Sequence, residues 1–444
     1  MSIPANLANS PWVQQQPHGR RPGCDRYRGC SILADEMAVT TPSRSLPKLR
    51  HHFAGADLRF YLGVLAAYAL ATALAASVDG IHQDTLMMLA ERALGGHLDS
   101  AAFKGTVDVV SLDGRYYFAV GPGQLLAYLP FAAIPDLQAS GKYLVCLLFG
   151  IPAAWLTLPV ARAYGAKGSS AYWVAAFGAF GSLLFYASTI GDEYYLAHAE
   201  SFLALMAFLL EWSGRRRPAV LGGLLAVSFL ARPTTVVVAV PFGLKLLWDS
   251  RADLRHALRT AIAIGLPIAG AVAIYGWYNW LRFGSTTEAG YALSYLSEPS
   301  LIARRNMGVF SLAQIPENLR LFLLAPPDLV SFPPFAVPNR WGMSMLLVSP
   351  ALLASIRAGF RDGTARLLWI AAAAVAVPVF LYYGGGFVQY GFRYSLDFTP
   401  FLLALVAMGT PRWTGRWERV LIMLSIVSVY FGVLLDMAWH ASPL

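Results

Sequence analysis

The feature that most constrains this chain is a series of apolar runs separated by short basic clusters. A helix needs about 20 consecutive, mainly apolar residues to cross a bilayer. Hydrophobic residues make up 57% of the 444 residues and charged residues only 13%, which excludes an ordinary soluble domain. The runs lie at 58–78, 120–137, 142–163, 169–190, 197–212, 218–248, 260–281, 342–356, 367–383, 396–408 and 420–439. The sequence therefore predicts an all-α polytopic membrane protein.

Basic residues are grouped between these runs. The net charge is +9, but Lys and Arg recur in short clusters next to membrane segments, as the positive-inside rule predicts, and do not form one continuous basic stretch. We therefore expect membrane lipids as neighbours and no nucleic-acid partner. The clusters are Arg162 with Lys167, Arg215 to Arg217, Lys245 with Arg251, Arg255 and Arg259, Arg357 with Arg361 and Arg366, and Arg412 with Arg416 and Arg419.

The second run, 120–137, decides whether these clusters share one side of the membrane. If it crosses together with the other runs, the next clusters face outward, against the charge rule. If it does not cross, every short cluster falls inside. Its three prolines, Pro122, Pro130 and Pro135, suit a broken or re-entrant segment that other parts of the protein cover. We therefore expect that this run does not cross.

The run at 218–248 has basic clusters at both ends, so it crosses an even number of times. Arg232-Pro233 near its middle predicts two short helices in a hairpin, with Arg232 at the outer tip and buried among other helices. The chain then makes about eleven crossings. This count places the N-terminus in the cytoplasm and the C-terminus outside.

The first 57 residues differ in composition from the rest. They are rich in Pro, Gln, Arg and Ser and show no helical period, which predicts a disordered cytoplasmic tail ahead of a transmembrane domain at 58–444. The sequence leaves open whether Met1 or Met37 is the true start. The cysteines, Cys24, Cys30 and Cys146, form no disulfide framework.

Two long extracytoplasmic loops are expected, at 79–141 and 282–341. In the first, apolar residues at helical spacing predict a juxtamembrane helix over 82–94 that ends at Gly95, followed by an Asp-Gly turn at 113–114. Its apolar face comprises Leu86, Leu89, Ala90, Ala93 and Leu94. In the second loop a similar spacing predicts an amphipathic helix that lies on the membrane surface. Its apolar face comprises Leu312, Ile315, Leu319 and Phe322.

Polar side chains collect near the helix ends that face outward. Charges at a membrane boundary are costly unless paired or hydrated, so their convergence is typical of a functional site. For any one of these residues taken alone, solvation of a helix end explains its position as well as a functional role does. The segment 191–200 argues most for function, because two of its polar residues enter the start of a transmembrane helix. The outward residues include Asp79, Asp84, Asp192, Glu193, His198, Glu200, Arg232, Arg393 and Asp397.

The order of these features resembles the GT-C superfamily of membrane glycosyltransferases. The features are an Asp after the first transmembrane helix, an amphipathic juxtamembrane helix, Tyr-Tyr-Phe at 116–118 before Gly-Pro-Gly-Gln-Leu-Leu at 121–126, a second acidic loop, the central helix end at 275–285, and a basic-aromatic element at 389–397. The similarity covers roughly residues 58–400. Within the superfamily, the chain looks most like the bacterial branch that includes the protein O-mannosyltransferases and the lipid A aminoarabinose transferase.

The resemblance implies an inverting glycosyltransferase of the cell (inner) membrane. It would move a hexose or pentose from a polyprenyl-phosphate donor to a lipid, glycan or protein acceptor at the outer face, without a nucleotide sugar. Asp79 matches the catalytic Asp of the family, and Asp84 is the second candidate. A carboxylate there would take the proton of the attacking hydroxyl. The family's second-loop acid falls on Asp192, Glu193, His198 or Glu200.

The chain departs from the family pattern ahead of Pro122, where Ala119-Val120-Gly121 replace a frequent Lys. The donor phosphate then needs another cation, which we expect from Arg232 and Arg393. The donor-phosphate site is also expected to include Tyr117, Gly121 and Gly123, the glycines because they let backbone approach the phosphate. No cofactor is assigned. A divalent metal, Mg or Mn, stays open, because some members of the superfamily use one and some do not.

Two other classes of protein compete with this hypothesis. A transporter or flippase of lipid-linked sugars is expected to place ionisable groups near mid-membrane and to show inverted repeats. Here the charges cluster at one face, and no repeat stands out in the sequence. A membrane assembly factor would instead use the long outer loops as docking surfaces.

Overall fold

Helices account for most of the structure. A computed structural model describes residues 55–80, 83–331, 333–410 and 416–441. Most of the expected tail at 1–57, with Cys24, Cys30 and Met37, lies outside the described residues. The first helix begins at Gly55, a few residues before the run that predicted it.

The N-terminal half contains helices and one β-hairpin. Its helices are α1 (Gly55–Asp79), α2 (Thr85–Leu94), α3 (Pro122–Ala132), α4 (Pro135–Gln138), α5 (Gly141–Ala163), α6 (Gly168–Ala176), α7 (Leu183–Thr189) and α8 (Glu193–Ser213). Strands β1 (Val109–Leu112) and β2 (Arg115–Phe118) pair antiparallel between α2 and α3. A π-helical segment, Phe177–Gly181, follows α6.

The C-terminal half interleaves α-helices with 3₁₀ segments. Its helices are α9 (Pro218–Ala231), α10 (Ala239–Asp249), α11 (Leu254–Phe283), α12 (Pro299–Asn306), α13 (Ile315–Leu324), α14 (Met345–Val348), α15 (Gly363–Leu381), α16 (Thr399–Gly409) and α17 (Arg416–Ala441). The 3₁₀ segments are Pro233–Val238, Leu312–Gln314, Pro350–Ala358 and Arg393–Asp397. Strands β3 (Asp328–Leu329) and β4 (Ala336–Val337) form a short antiparallel pair in the second loop.

Several helices can cross a membrane. Among the described residues, α1, α5, α11, α15 and α17 are long and apolar enough, and α6 with α7 makes a sixth span if the 46° bend between them is counted as one broken helix. The bend falls at Ser182, whose extended backbone interrupts the helix and whose hydroxyl accepts the Leu184 N–H. The chain is thus compatible with a multi-pass membrane protein. The count of about eleven crossings stays a prediction.

Three predicted crossings are shorter or less regular than expected. Helices α10 and α16 have 11 residues each, whereas α9 has 14 residues, as expected for a short hairpin helix. The run at 342–356 was expected to form one helix, and this is wrong: α14 has four residues, and Pro350 then begins a 3₁₀ segment. Pro has no N–H with which to continue an α-helical ladder, so the run is broken at that point.

Ion pairs at both ends of α1 and α5 set the path of the first loop. Arg162 near the end of α5 lies 2.6 Å from Asp57 at the start of α1, and Lys142 at the start of α5 lies 2.5 Å from Asp79 at the end of α1. The two helices are therefore antiparallel. The intervening segment, which includes the run at 120–137, leaves and returns at the same end of the bundle. We call the end where Asp79 and Lys142 meet the loop end.

The first loop contains the predicted helix and Asp-Gly turn, but the helix begins at Thr85 and not at residue 82. Asp84 caps α2 by accepting the Met87 N–H at 2.6 Å, a preferred role for Asp. On the predicted apolar face, the buried residues are Leu86, Leu89 and Ala90. Leu94 at the helix end is 53% exposed. Asp113 and Gly114, between β1 and β2, both have positive φ, 49° and 77°, which is the geometry of a tight hairpin turn.

The run at 218–248 is divided at Arg232. Helix α9 ends at Ala231, and Pro233 starts a 3₁₀ segment that leads into α10. Proline disfavours helical backbone in the residue before it, and Arg232 is accordingly extended, with φ −137° and ψ 95°. Arg232 therefore lies where the two helices of the predicted hairpin meet.

The second loop contains the predicted surface helix, but its buried face differs from the prediction. Leu312 lies in the 3₁₀ segment before α13 and is 77% exposed, and Leu319 is 40% exposed. The buried side chains of α13 are Asn318 and Leu321. Asn318 donates to the carbonyls of Phe380 and Tyr382 at the end of α15, each at 2.8 Å. Hydrogen bonding to a helix end, and not apolar burial alone, orients α13.

The path of the first loop can be tested by cysteine labelling. In a variant without native cysteines, Asp136→Cys is expected to react with a membrane-impermeant maleimide in intact cells, because the segment 120–137 is predicted to return to the outside. Lys167→Cys, which is also exposed, is expected to react only after permeabilisation, because α5 crosses between them. Labelling of position 167 alone in intact cells would show that the assigned orientation is wrong.

Candidate functional site

Asp397 is a fully buried carboxylate that joins three helical segments. Its side chain has 0% exposure. It receives a bond from His198 Nδ1 at 2.8 Å and one from the Thr234 hydroxyl at 3.2 Å. Arg232 donates through Nε and Nη2, at 3.1 and 2.9 Å. These hydrogen bonds compensate the desolvation of the buried carboxylate, which costs roughly several kcal/mol.

Breaks in regular helix bring these groups together. Arg232 lies between α9 and the 3₁₀ segment started by Pro233. Asp397 ends the 3₁₀ segment before α16, and His198 lies early in α8. Arg232 and Asp397 thus lie at interrupted helix ends, where backbone groups lack intrahelical partners, and His198 reaches Asp397 from within α8.

His198 and Glu200 each present an unpartnered polar atom inside the bundle. Because Asp397 accepts from His198 Nδ1, the hydrogen-bond network assigns the lone pair to Nε2. His198 Nε2 and Glu200 Oε2 are buried without a hydrogen-bond partner in the described part of the chain. Residues two apart on a helix point in different directions, so only His198 contacts Asp397.

Arg393 is a guanidinium surrounded by tyrosines. Its Cζ lies 5.9, 5.6 and 5.3 Å from the ring centroids of Tyr194, Tyr195 and Tyr394, within the range of cation–π attraction. Its Nη1 donates to the Phe387 carbonyl at 3.4 Å. Within the described residues, no carboxylate forms an ion pair with Arg393. The side chain is only partly buried, so it is open to a further anionic partner.

Asp79, the predicted catalytic carboxylate, is held by two neighbours. Lys142 Nζ lies 2.5 Å from its Oδ2, and the Tyr143 hydroxyl donates to the same oxygen at 2.8 Å. The Asp79 side chain is 21% exposed. Lys142 neutralises its charge, and the ion pair joins the end of α1 to the start of α5.

Asp84 and Glu193 both bind the N-terminus of α2. Glu193 Oε2 accepts the Leu86 N–H at 2.9 Å. Asp84 accepts the Met87 N–H and, at 2.6 Å, the Tyr128 hydroxyl. Burial raises the pKa of Asp84, and burial together with the Asp84 charge raises the pKa of Glu193. In this structure both carboxyl groups hold α2 against the start of α8.

Asp192 and Tyr117 have local contacts. Asp192 caps α8 by accepting the Tyr194 N–H at 2.6 Å. Tyr117 on β2 is 7% exposed, and its ring meets the Phe283 ring edge-on at 5.8 Å in a small apolar cluster. A role of either residue toward a donor stays a prediction.

Gly121 and Gly123 lie against the end of α9. A Cβ at Gly123 would lie 2.7 Å from the Ala231 nitrogen and from the Leu230 carbonyl carbon, and one at Gly121 would lie 3.0 Å from the Leu230 oxygen. The glycines therefore allow α3 to approach the backbone just before Arg232. This packing role accounts for Gly123, and its predicted role toward phosphate stays a prediction.

Comparison with known proteins adds no identification. No protein-family model matches the chain, and no curated protein matches it. Among the described residues, no group of three or more His, Cys, Asp or Glu side chains is arranged to hold a metal ion. The site has to be interpreted from its own geometry.

Sequence reasoning missed two residues of this arrangement. Asp397 was noted as outward-facing but not chosen, although an acid between Arg393 and an apolar run was a signal. Lys142 opens an apolar run, where a Lys at a membrane boundary indicates a partner. Among the predicted residues, the structure brings His198 and Arg232 together on Asp397 and places Arg393 nearby, against Tyr394, which also contacts Arg232. It keeps Asp79 and Asp84 in separate contacts.

Asp397→Ala tests whether this carboxylate organises the bundle. Removing it leaves Arg232 and His198 unpaired in a buried site, so we expect a loss of about 3–5 kcal/mol in the free energy of unfolding. Denaturation in detergent micelles measures this change. Glu317→Gln is the control, because Glu317 is 44% exposed in its pair with Arg320 and such pairs contribute about 0.2–1 kcal/mol. If both variants lower the free energy of unfolding by the same small amount, Asp397 does not organise the bundle.

Gly123→Ala tests the close approach of α3 to α9. The added Cβ would meet backbone at 2.7 Å, and we expect a destabilisation of about 1–3 kcal/mol from overpacking. Gly223→Ala on α9 is the matched control, because nothing lies within 4 Å of its Cβ position and Ala favours helix by about 0.5–1 kcal/mol. The two variants should shift the unfolding midpoint in opposite directions.

Proposed function

We propose that this protein is an inverting GT-C-type glycosyltransferase that moves a sugar from a polyprenyl-phosphate donor to an acceptor hydroxyl at the loop end. The observation that carries the proposal is Arg393, a partly buried guanidinium among tyrosines without an ion-paired carboxylate in the described chain. Guanidinium groups match phosphate oxygens in geometry and charge. A low-dielectric site strengthens that interaction.

The two arginines favour an anionic ligand. Arg232 and Asp397 neutralise each other, and Arg393 adds a positive charge beside the same Tyr394 ring. This guanidinium would attract the single negative charge of a sugar phosphodiester. Asp397 binds Nε and Nη2 of Arg232. Nη1 forms no hydrogen bond in the described structure, so its two N–H groups can bind a second phosphate oxygen.

The reaction needs few protein groups. The departing polyprenyl phosphate is a stable anion, so arginine donors suffice to stabilise it. The attacking hydroxyl needs a carboxylate to accept its proton. Asp79 and Asp84 are the candidates that the family resemblance supplies, and both lie at the loop end in the pairings described above. The proposal leaves the sugar, the acceptor and the use of Mg or Mn open.

A flippase of lipid-linked sugars is the second candidate. The observation that favours it is the pair of unpartnered polar atoms on His198 and Glu200 inside the bundle, because transporters use ionisable groups within membrane helices. The phosphate site at Arg393 would then bind the cargo. The two functions differ in whether the bond between sugar and phosphate is broken.

An assay with decaprenyl phosphate linked to a radiolabelled hexose or pentose separates these functions. The purified protein, mixed with a cell-envelope fraction as acceptor, is expected to release decaprenyl phosphate and to label the acceptor. In sealed proteoliposomes without acceptor, intact donor should stay in its original leaflet. Movement of intact donor between leaflets, without any release in the first assay, would overturn the proposal in favour of the flippase.

Arg393→Ala tests the phosphate site. Loss of a charge-assisted contact is expected to weaken binding of decaprenyl phosphate by about 2 kcal/mol or more, about 30-fold. Arg232→Ala is expected to weaken it as well. Both are measured by titration of the purified protein, with Arg340→Ala as control because that side chain is 77% exposed. Unchanged affinity in both variants would place the phosphate site elsewhere.

A further inference from the structure

Arg393 follows a loop with an unusual backbone. The loop, residues 384–392, lies between α15 and the 3₁₀ segment that starts at Arg393, and we call it the arginine loop. Val388 in this loop has a φ of 50°, in the left-handed region that β-branched residues rarely adopt. Such a conformation persists only where the surrounding contacts impose it. The contacts of the arginine loop therefore decide where Arg393 lies.

The side chain of Gln389 lies inside the arginine loop and is 6% exposed. Its Nε2 donates to the carbonyls of Trp341, Gly385 and Gly386 at 2.9, 3.2 and 2.8 Å, so two N–H groups are shared among three acceptors. Its Oε1 accepts the backbone N–H of Arg393 at 3.0 Å. One amide thus joins the start of the arginine loop, the end of the second loop and the backbone of Arg393.

The guanidinium of Arg393 also rests on this loop. Its Nη1 donates to the Phe387 carbonyl at 3.4 Å, two residues before Gln389. A Cβ at Gly386 would lie 2.2 Å from both Nε2 and Oε1 of Gln389, so the loop is closely fitted around the amide. Gln389 therefore supports Arg393 at its backbone and, through the loop, at its guanidinium.

Two further hydrogen bonds fasten the arginine loop to neighbouring elements. The Val388 N–H donates to the Arg340 carbonyl at 2.6 Å. The Tyr390 N–H donates to the Tyr195 hydroxyl at 3.3 Å, and the Tyr195 ring in turn contacts the Arg393 guanidinium. These bonds lie on both sides of Gln389, whose amide fills the space between them.

We propose that Gln389 is a positioning residue, which holds Arg393 in the orientation that binds the donor phosphate. This inference rests on the proposed function. A planar guanidinium binds phosphate oxygens through donors in a fixed geometry, so its affinity depends on its direction as well as on its charge. Gln389 acts through Arg393 and does not itself contact the donor.

Gln389→Met tests the proposal, because Met has a similar length but cannot replace the hydrogen bonds of the amide. Titration of the purified protein with decaprenyl phosphate is expected to show an affinity about fivefold to tenfold lower than that of the parent protein. Thr157→Val is the matched control. The Thr157 hydroxyl is buried and bonds to the carbonyls of Ala154 and Ala175, neither of which belongs to the arginine loop. This variant should lower the thermal unfolding midpoint and leave the affinity unchanged.

A double-mutant cycle separates positioning from general destabilisation. Arg393→Ala alone is expected to weaken binding of decaprenyl phosphate about 30-fold. If Gln389 acts through Arg393, adding Gln389→Met to Arg393→Ala should weaken binding by less than about twofold more. Gln389→Asn, which keeps a shorter amide, should lie between the parent protein and Gln389→Met in affinity, and it carries the same cycle if Gln389→Met does not fold.

Two results would overturn the inference while the proposed function stands. One is parental affinity in Gln389→Met together with weakened binding in Arg393→Ala. The other is an equal loss of affinity on removal of the amide in the presence and absence of Arg393, which indicates a structural role. Parental affinity in Arg393→Ala would instead remove the phosphate site of the proposed function, and the inference with it.

Discussion

The arrangement of the bundle depends on how a single buried carboxylate is compensated. Asp397 has no contact with water, and an unpaired carboxylate in such a position is strongly unfavourable. Its partners come from α8 and from the break between α9 and α10. The same interactions that neutralise Asp397 therefore fix how three helical segments meet. They also fix Nε and Nη2 of Arg232 on Asp397, so that Nη1 has a defined direction.

Interrupted helices allow the buried polar group around Asp397 to form within a largely apolar bundle. A continuous helix satisfies its own backbone and buries few polar groups. Breaks at Ser182, Arg232 and Pro350, and the 3₁₀ segment that ends at Asp397, expose backbone groups and polar side chains to each other within the protein. Most of the polar residues discussed above lie at such ends, and their positions are tied to one another by hydrogen bonds.

Three carboxylates at the loop end join neighbouring helices. Asp79, Asp84 and Glu193 are paired with Lys142 or with backbone and hydroxyl donors of neighbouring elements, and these contacts hold α1, α2, α5 and α8 in place.

The sequence by itself determined the local features of this protein. Apolar run lengths indicated long helices, and Gly95 marked the end of α2. Asp113-Gly114 formed the hairpin turn, and Pro233 broke the run at 218–248, because helix-end, turn and proline effects act within a few residues. Only the tertiary structure decided that Lys142 pairs with Asp79, that Asn318 turns inward, and that Asp397 joins His198 and Arg232. Those contacts link residues far apart in the chain, and their strength depends on burial, which no local pattern specifies.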